Sequence, residues 1–201
     1  MSKELVLRRA FVLESTELDM KEDRVASEAE IIERVQSGDK EAYHFIVTRY
    51  MQRAYYIALG FVHNPQDALD ISQEAFIKAF RKIKKFDSNK PFFPWFYQLL
   101  KNLCLDYLKG SQRREEVPLN GVRILKTEKD DREMKEVLWK GIEDLSLEQK
   151  EVILLRYFQQ YSYREIADIL EKPMGTVMSS LYNAKLRLKK IIGRYLGLEE
   201  A

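Results

Sequence analysis

Between Leu145 and Leu196 the sequence places two helix starts and a sharp break at spacings that leave few folds open. Ser146-Leu147-Glu148-Gln149 and Ser162-Tyr163-Arg164-Glu165 each set a serine three residues before Gln or Glu. In that capping box, hydroxyl and N3 side chain satisfy each other's orphan amides. Val152, Ile153, Leu155 and Phe158 give the first helix an apolar face, and Ile166, Ala167, Ile169 and Leu170 do so for the second. Pro173 and Gly175 predict a tight turn, with Thr176 capping a third helix. On that helix Val177, Leu181, Ala184, Leu188 and Ile192 recur every three or four residues. Short helix, tight turn and longer helix make a helix-turn-helix, whose last helix fits the major groove of DNA. Its outward residues would bring Met178, Ser179, Tyr182, Asn183 and Lys185 to base edges, with Arg187, Lys189, Lys190 and Arg194 for phosphates. A plain helical bundle with two well-capped turns gives the same pattern.

The rest of the chain is also read as helical. Eight glycines and five prolines in 201 residues are too few for the turn-dense grammar of a β protein, so an all-α fold is expected. Periodicity runs from Ala29 to Gly110, broken at Ser37–Asp39, His63–Pro65 and Asp87–Pro94, then resumes at Met134. Two small helical domains follow, 29–110 and 134–198, joined by a polar, flexible linker at 111–133 that carries Pro118, Asn120 and Gly121. Residues 1–28 form an unassigned extension, in which the apolar residues between Leu5 and Leu13 suggest one short helix.

Composition removes several function classes. Cys104 is the single cysteine, accompanied only by His44 and His63, so neither a disulfide nor a zinc site is expected. It sits among leucines and reads as a buried thiol. The net charge of +2 is too small for binding DNA through bulk charge; it fits either an ordinary solvated mixed surface or patches of both signs with an additional protein partner. No apolar run approaches the roughly 18 residues of a membrane span, so no membrane insertion and a cytoplasmic location are expected.

Two such patches lie in the first domain. Asp67, Asp70 and Glu74 fall at i, i+3 and i+7 with Gln73 adjoining, which puts three carboxylates on one helix face. DNA repels such a stripe, so it should face protein, while Ile71, Ala75, Phe76 and Phe80 turn to the core. A metal-binding carboxylate site is the enzymatic alternative, but no second acidic cluster or nucleophile accompanies it. Further on, Arg81, Lys82, Lys84, Lys85, Lys90 and Lys101 interleave with Phe86, Phe92, Phe93, Trp95 and Tyr97. Cations with π-faces suit single-stranded DNA. Trp95, Phe76 and Phe80 are more readily core residues than DNA contacts.

These strings resemble a known family. Leu145–Val152, Tyr161–Ala167 and Pro173–Leu181 are similar to region 4 of bacterial sigma factors of the extracytoplasmic-function (ECF, group IV, sigma-E-like) group. The run Asn64–Phe76 resembles sigma region 2, whose pattern is D-A-x-D-x-x-Q-E-x-F. Gly38–Tyr43, Val47–Tyr50, Phe86, Pro91–Phe96, Asn102 and Asp106–Lys109 extend that match. The resemblance implies a dissociable initiation subunit, without catalysis or cofactor of its own, that binds core RNA polymerase and promoter DNA. Asp67, Asp70, Gln73 and Glu74 match positions that dock on the polymerase clamp. Lys82, Phe86, Leu99 and Asn102 match a pocket for a flipped base of the single-stranded −10 element, roofed by Asp87–Pro94. Met178, Ser179, Tyr182, Asn183, Lys185 and Arg187 match contacts to the duplex −35 element. The chain departs from the family at Met178, Ser180 and Asn183, where arginines are common. A cognate anti-sigma factor is a further implied partner.

About two dozen linker residues span roughly 80 Å when extended, against about 70 Å for two turns of DNA. The linker therefore bridges both promoter elements only when nearly stretched or supported; the resemblance supplies that support in the channels of polymerase. A stand-alone helix-turn-helix regulator that binds its operator unaided, and an adaptor that binds polymerase without reading DNA, are the rival readings.

Overall fold

Four helices of the first unit assemble around a column of aromatic rings. The structure, a computed structural model, describes residues 27–111 and 137–195, and these fall into two separate units. The helix expected near Leu5–Leu13 and, apart from Ser111 at the end of a helix, the linker expected at 111–133 lie outside the described residues.

In the first unit, α1 (Glu28–Gln36) opens on a capping box between Ser27 and Glu30 and buries Ile31, Ile32 and Val35. Gly38, with φ of 108°, turns the chain after α1, and Asp39 accepts from the Ala42 amide at 3.1 Å. Next, α2 (Tyr43–Val62) ends on His63 in the left-handed region, φ 55°. Asn64 then caps α3 (Pro65–Lys82) by accepting from the amides of Gln66 and Asp67, with Pro65 at the first helical position, where its missing N–H is harmless. A 3-10 turn, Ile83–Lys85, leads through a short loop into α4 (Phe92–Ser111).

α2 packs on both α3 and α4. Ala54, Ala58, Ala68, Ala75 and Ala79 are fully buried, which lets these helices approach closely. Between them, Phe76 stacks on Phe96 at 4.4 Å, Phe96 on Phe92 at 5.5 Å, and Phe92 on Tyr50 at 5.6 Å. The Tyr43 hydroxyl donates to the Phe76 carbonyl at 2.7 Å, and burial pushes its ionisation upward. Ser72 is buried without cost because its hydroxyl donates to the Ala68 carbonyl at 2.6 Å. The expected break at Asp87–Pro94 is shorter, because α4 already begins at Phe92. Pro94 is its third residue, where no intrahelical donor is required.

In the second unit a helix over residues 137–143 precedes α6; it is designated α5. Both predicted capping boxes form, Ser146 with Gln149 before α6 (Leu147–Ile153) and Ser162 with Glu165 before α7 (Tyr163–Leu170). The Ser162 hydrogen bonds hold the Glu165 carboxyl below its ordinary value. α6 widens into a π turn over Leu154–Phe158, with the Tyr161 amide returning to the Leu155 carbonyl at 3.2 Å. Phe158 consequently leaves the helix face to pack on Trp139 at 5.3 Å.

The turn between α7 and α8 (Met174–Tyr195) differs from the sequence expectation. Glu171, with φ of 53°, supplies the left-handed residue. Gly175 is already helical. The amides of Thr176 and Val177 both return to the Pro173 carbonyl, at 2.9 and 3.2 Å. Thr176 therefore sits inside the first turn and does not cap the helix. Val177, Leu181, Ala184 and Leu188 are buried, as are Ile153, Leu155, Ile166 and Ile169 of the same unit, and α8 packs on both α6 and α7, whereas Ile192 is only half-buried.

Cys104 is fully buried on α4, and burial pushes its thiol up to about 12. Only the protonated form is then present at pH 8, and thiolate is the reactive species. We expect no reaction of the native chain with iodoacetamide at pH 8, and stoichiometric labelling after denaturation, read by mass spectrometry.

Candidate nucleic-acid interface

The Asn64 cap and Pro65 set the phase of α3, and that phase separates the four polar residues of its face. Asp67 is half-buried, and it accepts from the Tyr107 hydroxyl of α4 at 2.6 Å. Asp70, Gln73 and Glu74 are exposed. Gln66 donates to Asp70 at 3.2 Å, and Lys78 pairs with Glu74 at 3.1 Å. Both contacts are short-range and solvent-facing, so they hold the carboxylates only weakly. Leu69 and Ile77, 37% and 51% exposed, stand beside these carboxylates. Sequence reasoning missed them. The signal was available, because Leu69, Gln73 and Ile77 are spaced by four. Apolar side chains set among carboxylates on an open helix face fit a protein partner.

From the last turn of α3 onward the surface turns basic: Arg81, Lys82, Lys84, Lys85 and Lys90 are all exposed. Several aromatic residues expected to stack on bases are instead core. Phe92, Phe93 and Tyr97 are at most 1% exposed, because the first turns of α4 insert between α2 and the loop. Phe86 is also buried, with 9% exposed, packed on Trp95 at 4.7 Å and on Phe92 at 6.0 Å. Trp95, expected in the core, is half-buried, as are Leu99 and Phe80. Trp95, Leu99 and Asn102 follow at i, i+4 and i+7 and so share one face of α4. Asn102 is exposed there.

The loop ahead of α4 is held from α1. The Gln36 side-chain amide donates to the carbonyls of Ile83 at 2.8 Å and Phe86 at 2.7 Å. Ser88 donates to Glu33 at 3.1 Å. Glu28 accepts from the Phe92 amide at 2.9 Å, and its other oxygen accepts from the Tyr50 hydroxyl. A carboxylate from 64 residues away thus caps α4. No local pattern announces these ties.

On α8, Met178, Ser179, Tyr182, Asn183, Lys185 and Arg187 are all exposed, as sequence spacing predicted. The Lys185 ammonium lies over the Tyr157 ring at 5.6 Å. Sequence reasoning missed Met174 and Leu186, 52% and 49% exposed.

Removing both Gln36 donations frees the two carbonyls that hold the 3-10 turn. Gln36→Leu is expected to accelerate amide exchange over residues 83–90 by about thirty-fold while leaving α2 protected, the two hydrogen bonds contributing about 1 kcal/mol each. Unchanged exchange would mean that the turn holds itself.

Comparison with known proteins agrees with this architecture. Residues 46–114 match the family Sigma-70 region 2, and residues 135–188 match Sigma-70, region 4. RNA polymerase sigma-H factor of Pseudomonas aeruginosa is 31% identical, the alignment covering 81% of this chain and 92% of that protein. ECF RNA polymerase sigma-E factor of Escherichia coli K12 is 30% identical over 77% of this chain and 88% of its own length. The fold is similar to that of CnrH, solved with the cytosolic domain of CnrY, with TM-score 0.65, 19% identity and coverage of 83% and 97%. It is also similar to RpoE of Bartonella quintana, solved with the anti-sigma factor NepR, with TM-score 0.63, 21% identity and coverage of 76% and 97%. The chain belongs to the extracytoplasmic-function family of RNA polymerase sigma factors and is an alternative sigma factor that directs promoter-specific transcription initiation.

Proposed function

We propose that the two units divide the work of initiation, the first holding core polymerase and the −10 element, the second holding the −35 element. The observation that carries this reading is the opposite character of the two ends of α3. Its outward carboxylates, Asp70 and Glu74 with Gln73, dock on polymerase, helped by Leu69 and Ile77. Asp67 serves mainly to hold α4 through Tyr107. Beyond the helix end, Lys82 and its neighbours attract the backbone of the unpaired strand. Asn102 and Leu99 receive a flipped base at the face that Trp95 shares, with Phe86 supporting Trp95 from beneath. Flipping costs roughly a few kcal/mol, comparable to one or two base contacts of about 1–3 kcal/mol each. Such a site contributes to melting and checks sequence at once.

Two modest contact sets on one chain gain affinity when both engage together. The protein therefore works as part of holoenzyme and does no chemistry itself. Among the described residues no helix is long and apolar enough to cross a membrane, which fits action beside polymerase in the cytoplasm. Family membership adds a cognate anti-sigma factor to the expected partners.

Run-off transcription with core polymerase tests the reading. A defined start site should appear only when this chain is added, whereas a stand-alone regulator would shift specific duplex without polymerase. Asp70→Ala combined with Glu74→Ala should weaken core binding about ten-fold, a cost of about 1.4 kcal/mol, with thermal stability unchanged. Asp67→Ala should instead lower the melting temperature. Equal core affinity in the double variant would remove the carboxylate face from the polymerase contact. Asn102→Ala should slow open-complex formation about ten-fold by permanganate footprinting, with closed-promoter binding nearly intact. Equal losses in both steps would take Asn102 out of the base pocket.

A further inference from the structure

The outward surface of α8 carries two adjacent rows of opposite chemistry. Met174, Met178, Tyr182 and Leu186 succeed one another at steps of four, and are 52%, 48%, 63% and 49% exposed. Ser179, Asn183 and Arg187 form the next row, also at steps of four and also exposed. Residues four apart stack along one helix face, so the rows run side by side. The Ser179 hydroxyl donates to the Thr176 carbonyl at 3.0 Å, which leaves its lone pairs pointing outward as acceptors.

An apolar row on a helix that enters the major groove needs an apolar counterpart there. The groove floor offers one, the C5 methyl of thymine. The adenine of the same pair presents N7 and the N6 amino group, which an asparagine matches with two hydrogen bonds. Guanine is read instead by the fork of arginine or by lysine. Residues 174–184, the first three turns of α8, contain neither. The first lysine after them, Lys185, has its ammonium over Tyr157. Arg187, exposed in the polar row one turn beyond Asn183, is the first arginine of α8 and lies outside the stretch that carries Met178, Tyr182 and Asn183; Lys189 and Lys190, exposed further along, suit phosphates and carry no sequence preference.

We infer that α8 selects A·T pairs in the −35 element, Met178 and Tyr182 covering thymine methyls while Asn183 takes the adenine edge. The inference rests on the proposed reading of duplex by this helix and specifies its substrate.

Holoenzyme built from core polymerase and the full chain is used to select active templates from a library randomised across the −35 region. Each thymine of the selected element is then replaced by deoxyuridine, which pairs identically and lacks the methyl. Burial of one methyl predicts an about four-fold loss of promoter occupancy at a contacted position. That loss should disappear in Met178→Ala or in Tyr182→Ala holoenzyme, both substitutions lying on exposed surface. Met178→Arg should move the selected sequence toward guanine at the same position. A selected element dominated by G·C pairs would overturn the inference, as would indifference to every deoxyuridine replacement. A penalty that persists undiminished in both alanine variants would do the same. Absence of any −35 preference is a different failure, because it removes duplex reading by α8 altogether.

Discussion

The first unit depends on the stacking of Phe96 between Phe76 and Phe92, with Tyr50 closing the column. Each buried ring contributes a few kcal/mol of transfer free energy, roughly 1.5–3 kcal/mol per large side chain, and the column fixes α4 in rotation as well as position. Two long-range hydrogen bonds of the unit follow from that rotation. It brings the Phe92 amide to Glu28 and the Tyr107 hydroxyl to Asp67. It also turns Trp95, Leu99 and Asn102 outward together. A slip of one residue in α4 would break both hydrogen bonds and bury Asn102.

Two kinds of constraint built these units, and only one is visible in a sequence. The boxes at Ser146 and Ser162 were legible because both partners lie within four residues. The exposed set on α8 was legible because the apolar period of Val177, Leu181, Ala184 and Leu188 determines its complement. The α1 ties were not, since Gln36 meets its acceptors 47 and 50 residues away. The turn before α8 misled for a related reason. Gly175 and Thr176 have the propensities of turn and cap, yet Glu171 adopts the left-handed conformation and Pro173 accepts the first amides. Composition also overstated the aromatic surface. Phe92 and Phe93 are consecutive and both buried, which no single-face periodicity anticipates.

The near-neutral total charge conceals an ordered separation. α3 carries its carboxylates within its first ten residues, Asp67 in the first turn, and Arg81 and Lys82 in its last turn, so that both ends complement the helix dipole. At 1.5 Å of rise per residue, Asp70 and Lys82 are about 18 Å apart along the axis. The proposed polymerase contact and Lys82 of the proposed single-strand contact therefore stand on one continuous helix.

The exposure of the two rows on α8 has a consequence for descent. Core and caps of the second unit rest on Val177, Leu181, Ser146, Ser162 and residues like them, and none of these stands on the outward rows. On the proposed reading, substitutions at Met178, Tyr182 or Asn183 would leave folding almost untouched while altering what is bound. Promoter preference would then be separable from architecture, and new sets of controlled genes would be reachable through single changes on an otherwise unchanged scaffold.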